Sequence, residues 1–369
     1  MKKLMIGALS FITIFPTFAL DLGSEPTISV QIKKTQTSPS QKYRRVNGIK
    51  DDIQDTAKNI KLLNLKFSNK ELQAVNQRIA RLAQNRQAYT TNFSSSSSKR
   101  LDVSNLPILD QGEHGSCVMF AVTNAINAAT KKTGDQQISQ LCQLQLGSYI
   151  ASKSFYISGW DGSFADKTLE FIENYGYLTL DEQKTNGCGG EIEYPTLAMP
   201  SNSLSLEQFW ERKPNQLSVF WGPIVSRKNL FEDENQSERT LAMVKEFIDE
   251  GIFVSTGVML FAPYQVGVAG AGGYHQQEND TWILSPTVVR HALREGNRAG
   301  HEMLIIGYDD SACVTDEQNN QHCGLIQLQN SWGTDVGDNG YFYMSYDYFM
   351  TAVMEAHYYL DLSQLFGTL

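Results

Sequence analysis

The stretch Gln111–Ala121, which reads QGEHGSCVMFA, decides the fold of this chain. Cys117 begins an apolar run that continues to about Lys132 with little polar face, and this predicts a buried central helix. Gly112 and Gly115 permit a tight turn that aims a cysteine side chain outward from the helix start. Free backbone N–H groups and the helix dipole favour an anion there, so we expect Cys117 to be an activated nucleophile.

A thiolate nucleophile also needs a base for its proton and hydrogen-bond donors for the oxyanion that forms. Gln111 carries a side-chain amide that the turn can bring back beside the helix start. Among six histidines, His301 is the best placed base, because it begins the apolar strand Gly300–Tyr308. A lone histidine at a strand end is more often a filler of the core or surface, so a second signal is needed.

The second signal is the stretch Asn330–Tyr341, which reads NSWGTDVGDNGY. The amide of Asn330 can hold an imidazole in one orientation, and Trp332 can shelter that hydrogen bond from water. Taken alone, a glycine-rich stretch of this kind is also typical of an ordinary hairpin.

Together these blocks resemble those of papain-like cysteine peptidases, in the order found in that family. The blocks are Gln111–Ala121, Ile138–Ser163, Tyr264–Val268 with Gly300–Tyr308, and Asn330–Tyr341. The resemblance spans most of residues 101–350. It implies an α+β fold of two lobes, a helical left lobe and a β-barrel-like right lobe.

The resemblance also implies a role for each matching residue. Cys117 is the expected nucleophile, His301 the general base and acid, and Asn330 the group that orients the imidazole. Gln111 is the expected oxyanion donor, and Trp332 the indole over the contact between Asn330 and His301. This chemistry uses peptide or protein substrates and needs no metal ion or organic cofactor.

The family binds the substrate main chain along a backbone strip, which Gly162 and Ser163 match here. The disulfide that normally ties this strip to the turn is missing, since His114 and the stretch Gly159–Ser163 lack its two cysteines. Val118 likewise replaces an expected tryptophan. His114 is then either a loop residue or a second titrating group near the thiol.

Five cysteines leave one unpaired if the others form disulfides. Cys142 and Cys188 resemble the second bridge of the family's left lobe. Cys313 and Cys323 bracket a polar hairpin tip, across which we expect them to pair. Cys117 is the cysteine left over, as a nucleophile requires.

Composition indicates a folded protein of about two domains, because 41% of its 369 residues are hydrophobic and 19% are charged. Residues 1–100 carry 17 basic against 6 acidic residues, a charge of +11, while residues 101–369 carry 14 against 34, a charge of −20. Nucleic-acid binding by the acidic body is therefore not expected. The basic segment and the acidic body either pair with each other or carry solvated charge on unrelated surfaces.

Residues 1–19 are typical of a secretory signal peptide, with Lys2 and Lys3 before an apolar run and cleavage expected after Ala19. The chain is therefore expected to be secreted, to the periplasm or outside the cell. The uncharged stretch Gly251–Val268 contains a proline and many β-branched residues, which favours a buried strand over a membrane anchor.

Residues 20–100 are predicted to be a basic propeptide. Alternation of Ile28, Val30 and Ile32 predicts a short strand. Apolar periodicity then predicts a helical hairpin, formed by Asp51–Leu63 and Glu71–Gln87. Ser68 and Glu71 form a capping-box signature at the start of its second helix.

The serine-rich stretch Ser94–Ser98 with Lys99 and Arg100 is predicted to be a flexible linker, and the peptidase domain is residues 101–369. The propeptide is expected to inhibit the enzyme, with the hairpin docked on the body and the linker across the cleft. We expect removal by cleavage between Asn92 and Leu101, and weaker docking in acid. A permanent partner-binding domain is the alternative.

The sequence thus predicts a secreted cysteine peptidase made as a zymogen. An inactive papain-fold binding protein is one alternative, suggested by Val118 and the altered turn at His114. Another acyl-transfer enzyme, a transglutaminase or deamidase, is a second. The extra stretch Ala269–Ala299 is either a border of the cleft that favours exopeptidase action or a plain surface insertion.

Overall fold

A computed structural model describes residues 27–34, 57–84, 97–153, 158–227, 233, 235–261, 272–275, 280–294 and 298–362. The predicted signal peptide, Tyr264–Val268 and residues 94–96 of the predicted linker lie outside these residues. The strands are β1 Thr27–Lys33, β2 Ala57–Asn64, β3 Ser98–Arg100, β4 Val219–Val225, β5 Phe253–Phe261, β6 Thr281–Trp282, β7 Arg298–Thr315, β8 Gln321–Gln329, β9 Tyr341–Ser345 and β10 Val353–Asp361. The helices are α1 Asn69–Gln84, α2 Cys117–Ala129, α3 Gln140–Lys153, α4 Ala165–Tyr175, α5 Leu180–Asn186, α6 Leu206–Glu211, α7 Gln236–Asp249, α8 Pro286–Arg294 and α9 Tyr346–Ala352.

The strands form one sheet with the order β4-β10-β5-β7-β8-β9-β6, in which every neighbouring pair is antiparallel except β6 with β9. Five helices, α2 to α6, come between β3 and β4 and build the other lobe. The α+β class with a helical and a sheet lobe is therefore confirmed.

Helix α2 lies where the two lobes meet, and it contacts both β5 and β7. Every residue of this helix is buried, as its apolar sequence predicts. The long strand β7 pairs with β5 through its first half and with β8 through its second half. This pairing sets His301 opposite Val258 and Leu304 opposite Gln329, so the residue that follows β8 lies close to His301.

The predicted helix Asp51–Leu63 is wrong, because residues 57–64 form strand β2. Strand β2 pairs antiparallel with β1, with Val30 opposite Ile60. Alternate side chains of the two strands, Val30 and Ile60 among them, are buried in the core. A short isolated helix is marginal in water, whereas the strand gains both backbone pairing and this burial. Residues 51–56 lie outside the described residues. Within residues 27–34 and 57–84, a strand pair and helix α1 take the place of the predicted helical hairpin.

Helix α1 agrees with its prediction and begins with a capping box. The backbone N–H of Ser68 donates to the Glu71 carboxylate (2.8 Å), and the backbone N–H of Glu71 donates to the Ser68 hydroxyl (3.3 Å). Its apolar face buries Val75, Ile79 and Leu82. This face packs against α8 and α9, so the helix is docked on the body.

The end of the predicted flexible linker is also a strand. Residues 98–100 form β3, which pairs with β7 so that Lys99 lies opposite Tyr308. All three residues are exposed because this short strand lies on the surface, where the Arg100 guanidinium also donates to Gln327 Oε1 at 2.9 Å. The linker is therefore not free up to Arg100.

Both expected disulfides are present in the structure. Cys142 in α3 is joined to Cys188, and Cys313 is joined to Cys323 across the tip of the β7–β8 hairpin. Cys117 is the free cysteine and is buried. No helix within the described parts of the chain is long and apolar enough to cross a membrane.

Candidate active site

The turn before α2 positions Cys117 at the helix start. Gly112 has a φ of +61°, and a Cβ there would lie 2.0 Å from the carbonyl oxygen of Thr196, so only glycine fits. The sulfur interacts with three backbone N–H groups, those of Glu302, Val118 and Cys117 itself, each of which lowers the pKa of the thiol. The amide-rich setting expected from the sequence therefore surrounds this sulfur.

His301 on β7 is held by Asn330, which follows β8. The imidazole Nε2 lies 2.8 Å from Asn330 Oδ1. The same oxygen accepts the backbone N–H of Ser331 at 2.7 Å, which fixes the orientation of the amide. Nε2 must then be the donor, so in the neutral ring Nδ1 carries a lone pair. Nδ1 is buried without a hydrogen-bond partner.

Trp332 covers the contact between His301 and Asn330. Its ring stacks on the imidazole with a centroid distance of 4.4 Å and an interplanar angle of 22°. The indole is fully buried. It therefore keeps water away from the hydrogen bond that orients the ring.

Gln111 is tied to the segment after Asn330 by backbone contacts. Asp110 forms a bridge with Trp332, and the N–H of Gln111 donates to the carbonyl of Ser331 at 2.8 Å. The Gln111 side chain is buried, with Nε2 donating to the carbonyl of His114 (2.6 Å) and Oε1 accepting from the Ser331 hydroxyl (2.7 Å). Since an amide nitrogen has two protons, the second remains for an oxyanion.

Burial sets the charge state of the two reacting side chains. It raises the pKa of the Cys117 thiol to about 12, and the nearby Glu302 carboxyl raises it further against the three amides. Burial also lowers the pKa of His301 to about 4, although Asn330 opposes the shift. Thiol and imidazole are therefore both neutral at pH 7 in this structure, which is the expected state of a covered site.

The cover is strand β2, which lies over the reacting residues. Leu63 pairs with Gly300, one residue before His301, and Leu65 donates its backbone N–H to the carbonyl of Arg298 at 3.0 Å. Both leucines line a cavity of about 20 Å³ together with Cys117 and His301. The prediction that the serine-rich linker crosses the cleft is therefore wrong for the described residues, where β2 is the crossing segment.

Strand β2 also contacts the other wall of the cleft. Its Lys61 donates a backbone N–H to the carbonyl of Glu113 at 3.2 Å. The Lys58 ammonium is bound by the Asp110 carboxylate and, at 2.9 Å, by the Trp332 carbonyl. The basic N-terminal segment and the acidic body therefore pair directly at the cleft. This agrees with the first of the two interpretations of their opposite charges.

The two residues that match the substrate strip differ in what they face. A Cβ on Gly162 would lie 2.7 Å from Leu63 Cδ1, so this glycine faces the cleft and β2. The Ser163 hydroxyl is directed elsewhere, since it accepts from the Thr168 hydroxyl at 3.1 Å and donates to the Phe164 carbonyl at 3.3 Å. Both residues line the cavity that holds Cys117, but the Ser163 hydroxyl is bound within its own loop and helix start.

His114 and Trp160 replace the missing disulfide. They occupy the positions of its two cysteines, and their rings meet edge to face with centroids 4.9 Å apart. His114 Nε2 also bonds to the carbonyl of Pro195 (2.9 Å), and burial lowers the pKa of the ring. His114 is therefore a packing residue that ties the turn to the strip.

Tyr194 is a site residue that sequence reasoning missed. Its hydroxyl lies 2.9 Å from the Ser116 hydroxyl and donates to the Gln111 carbonyl at 3.1 Å. It thus fixes the turn between Gln111 and Cys117. Nothing in its surrounding sequence signals this role, because Tyr194 lies far from the turn along the chain. Among the described residues there is no group of three or more His, Cys, Asp or Glu able to hold a metal ion.

Comparison with known proteins matches these features to one family. The family model for papain family cysteine proteases matches residues 95–360. The oryzain gamma chain of Oryza sativa subsp. japonica is 25% identical over 240 residues, 64% of this chain and 51% of that protein, so this chain spans about half of its relative's length.

Two solved structures are among those similar to this chain. Xylellain, a cysteine protease from Xylella fastidiosa, is 17% identical with a TM-score of 0.43, covering 74% of this chain and 89% of that chain. The proform of Amb a 11, a cysteine protease and ragweed pollen allergen, is 13% identical with a TM-score of 0.38, covering 74% and 67%. Because the family model matches well over half of the sequence, this chain belongs to the papain family of cysteine proteases.

Proposed function

We propose that this protein hydrolyses peptide bonds with Cys117 as nucleophile and is made as a zymogen. The observation that most directly supports this proposal is that the single free thiol, Cys117, and His301, whose Nδ1 has no hydrogen-bond partner, line one cavity. In the proposed reaction His301 Nδ1 takes the thiol proton and the thiolate attacks the peptide carbonyl.

The developing oxyanion is bound by the backbone N–H of Cys117 and by the second proton of Gln111 Nε2. The imidazolium stays oriented by Asn330 and returns its proton to the leaving amine. A water molecule, deprotonated by His301, then releases the acyl group and regenerates the thiol. Each step balances without a metal ion or organic cofactor.

Residues 20–100 act as the inhibitory propeptide and residues 101–369 as the peptidase domain. The start of the family match at residue 95 supports this boundary. The position of β2 supports inhibition, because Leu63 lies on Gly162 and leaves no space for a substrate main chain. Secretion through residues 1–19 is supported by the two disulfides, which persist in oxidising compartments.

An epoxide that alkylates activated thiols tests this function on the full chain. We expect one adduct by intact mass, absent in Cys117→Ala, and slower formation in His301→Gln. Casein digestion followed by mass spectrometry then identifies the reaction. New peptide termini support hydrolysis, whereas a mass gain of one dalton at glutamine indicates a deamidase and cross-linked products a transglutaminase. A folded protein that neither reacts nor digests, even after loss of residues 20–100 by limited proteolysis, is an inactive binding protein.

A further inference from the structure

Two buried carboxyl groups meet across the sheet next to the thiol. Gly257 on β5 lies opposite Glu302 on β7 and opposite Glu355 on β10. Directly opposed residues project to the same face of a sheet, so the three form a row. A Cβ on Gly257 would lie 2.5 Å from Glu302 Oε2 and 2.8 Å from Glu355 Cγ, so the glycine leaves the space in which both carboxyls lie.

This row forms a wall of the cavity that Cys117, Gly162 and Leu63 also line. Glu302 is 1% exposed, neither of its carboxyl oxygens lies at normal hydrogen-bond distance from a donor, and the nearby Ser255 hydroxyl only partly offsets the rise in pKa that burial causes. Glu355 is 6% exposed, and its Oε1 accepts the backbone N–H of Ala165 at 3.1 Å. Two buried carboxyls with so few donors are costly to ionise, which fits a site that another group completes.

Among the described residues, no cation forms an ion pair with Glu302 or Glu355. No lysine or arginine lines the cavity. Arg227, which lowers the pKa of Glu355, donates to the Lys66 carbonyl (2.9 Å) and lies over the Phe67 ring. Asp166 adds a negative charge that raises the pKa of both carboxyls.

Burial is the main cause of the raised pKa of each carboxyl, and that of Glu355 reaches about 8. The pair is therefore protonated at neutral pH while the leucines of β2 cover it. Removal of β2 admits water and lowers the cost of ionisation, so the open site becomes an acidic pocket beside the nucleophile.

The geometry points to a specificity site in which Glu302 and Glu355 bind a lysine or arginine side chain of the substrate. This side chain takes the place of Leu63 or Leu65 amino-terminal to the bond that is cut. Its aliphatic stem packs on Val258 and Met354, which line the same cavity, while its charged end reaches the carboxyls. The inference rests on the proposed peptidase function and adds the substrate class.

Fluorogenic peptide amides that differ at one position test the site, with the full chain, activated by limited proteolysis that removes residues 20–100, as the enzyme. Lysine is compared with norleucine, which has the same stem without the charge. At one position amino-terminal to the scissile bond we expect kcat/KM to be about tenfold or more higher for lysine, as for a desolvated charge pair. Glu302→Gln and Glu355→Gln should each reduce this ratio to about twofold or less.

Asp166→Asn is the matched control, since it removes a neighbouring carboxyl that does not line the cavity, and it should keep the preference. Labelling of Cys117 by iodoacetamide reports whether each variant retains its folded site. A norleucine rate equal to or above the lysine rate at every position of the unsubstituted chain overturns the specificity site and leaves the peptidase intact. Absence of both cleavage and Cys117 labelling overturns the peptidase function itself.

Discussion

The N-terminal region, residues 27–84, and the catalytic body, residues 97–362, are held together in different ways. Within the body, β5 runs along β7 from Val254 to Phe261, and two disulfides close loops. The N-terminal region pairs with β7 over Leu63 and Asn64, extended by the hydrogen bond from the Leu65 N–H to the Arg298 carbonyl, and no disulfide ties its described residues to the body. Strand β2, the cover, is therefore attached by a short pairing, two leucines and a few ion pairs, whereas helix α1 docks through a buried apolar face. A single substitution in β2 should loosen this strand while the body stays folded.

The largest effect is expected in the body, at the nucleophile. Cys117→Ala should lower peptide cleavage by at least about 10³-fold, because no other group can form the acyl intermediate. The thermal midpoint should change little, since alanine fits the buried helix start. Cleavage above about one per cent of the unsubstituted rate, in a protein free of contaminating peptidase, contradicts the assignment.

The next largest effect is expected in the cover. Leu63→Asp places a carboxylate in a buried position beside Glu302, so β2 should leave the cleft and Cys117 should be alkylated about tenfold faster or more. The rate is read by intact mass at pH 7. Gln31→Asp is the matched control, because it adds the same charge at an exposed position of β1. Equal rates in all three proteins contradict the inhibitory role of β2.

The two regions should also respond oppositely to pH. The pKa of Glu355 is raised to about 8 in the folded protein from an ordinary value of 4.5. Its stabilising contribution to the free energy of unfolding is therefore complete below pH 4.5 and is lost as pH rises toward 8. Glu238 faces the N-terminal Arg81 at 2.6 Å; burial raises the pKa of Glu238, but the hydrogen bond from Arg81 and others outweigh burial and lower it overall. The contribution of Glu238 to the free energy of unfolding is therefore lost as pH falls below 4.5.

Urea unfolding of the full chain at pH 3.5, 5 and 8 checks this pattern, with highest stability expected near pH 5. Glu355→Gln should flatten the loss between pH 5 and 8 without changing the acid side. A variant that keeps the alkaline slope contradicts the assignment to this carboxyl.

The smallest effect is expected at Tyr194. Loss of its hydroxyl in Tyr194→Phe removes hydrogen bonds to Ser116 and Gln111, worth about 1 kcal/mol, so kcat should fall roughly fivefold with KM nearly unchanged. Tyr175→Phe removes a hydroxyl from α4, away from the turn, and should leave kcat unchanged. A change confined to the thermal midpoint indicates a structural role only.

Much of the body could be predicted from short signals along the chain. The apolar run after Cys117 predicted α2, and the order of the blocks predicted which histidine and asparagine would meet. The disulfide pairs followed from the same register. These predictions succeeded because each depends on local periodicity or on a spacing that the fold of the family keeps.

The secondary structure of the N-terminal region was harder to predict, because the spacing of its apolar residues is ambiguous. Residues 57–64 place apolar side chains at spacings that suit one face of a helix as well as a strand. The choice was made by contacts with β1 and with Gly300 on β7, which lie far away in sequence. The capping box of α1 is local, and that helix was predicted correctly.

The sequence by itself determined the family, the α+β class and the residues with the chemistry of a nucleophile, a base and their supports. Tertiary structure alone decided that β2 covers the thiol, that Tyr194 braces the turn and that Glu302 and Glu355 share one wall. The physical reason is that local patterns record the periodicity of one segment. Burial, and with it the charge of Cys117, His301 and the two glutamates, depends on neighbours that the sheet brings together from distant parts of the chain.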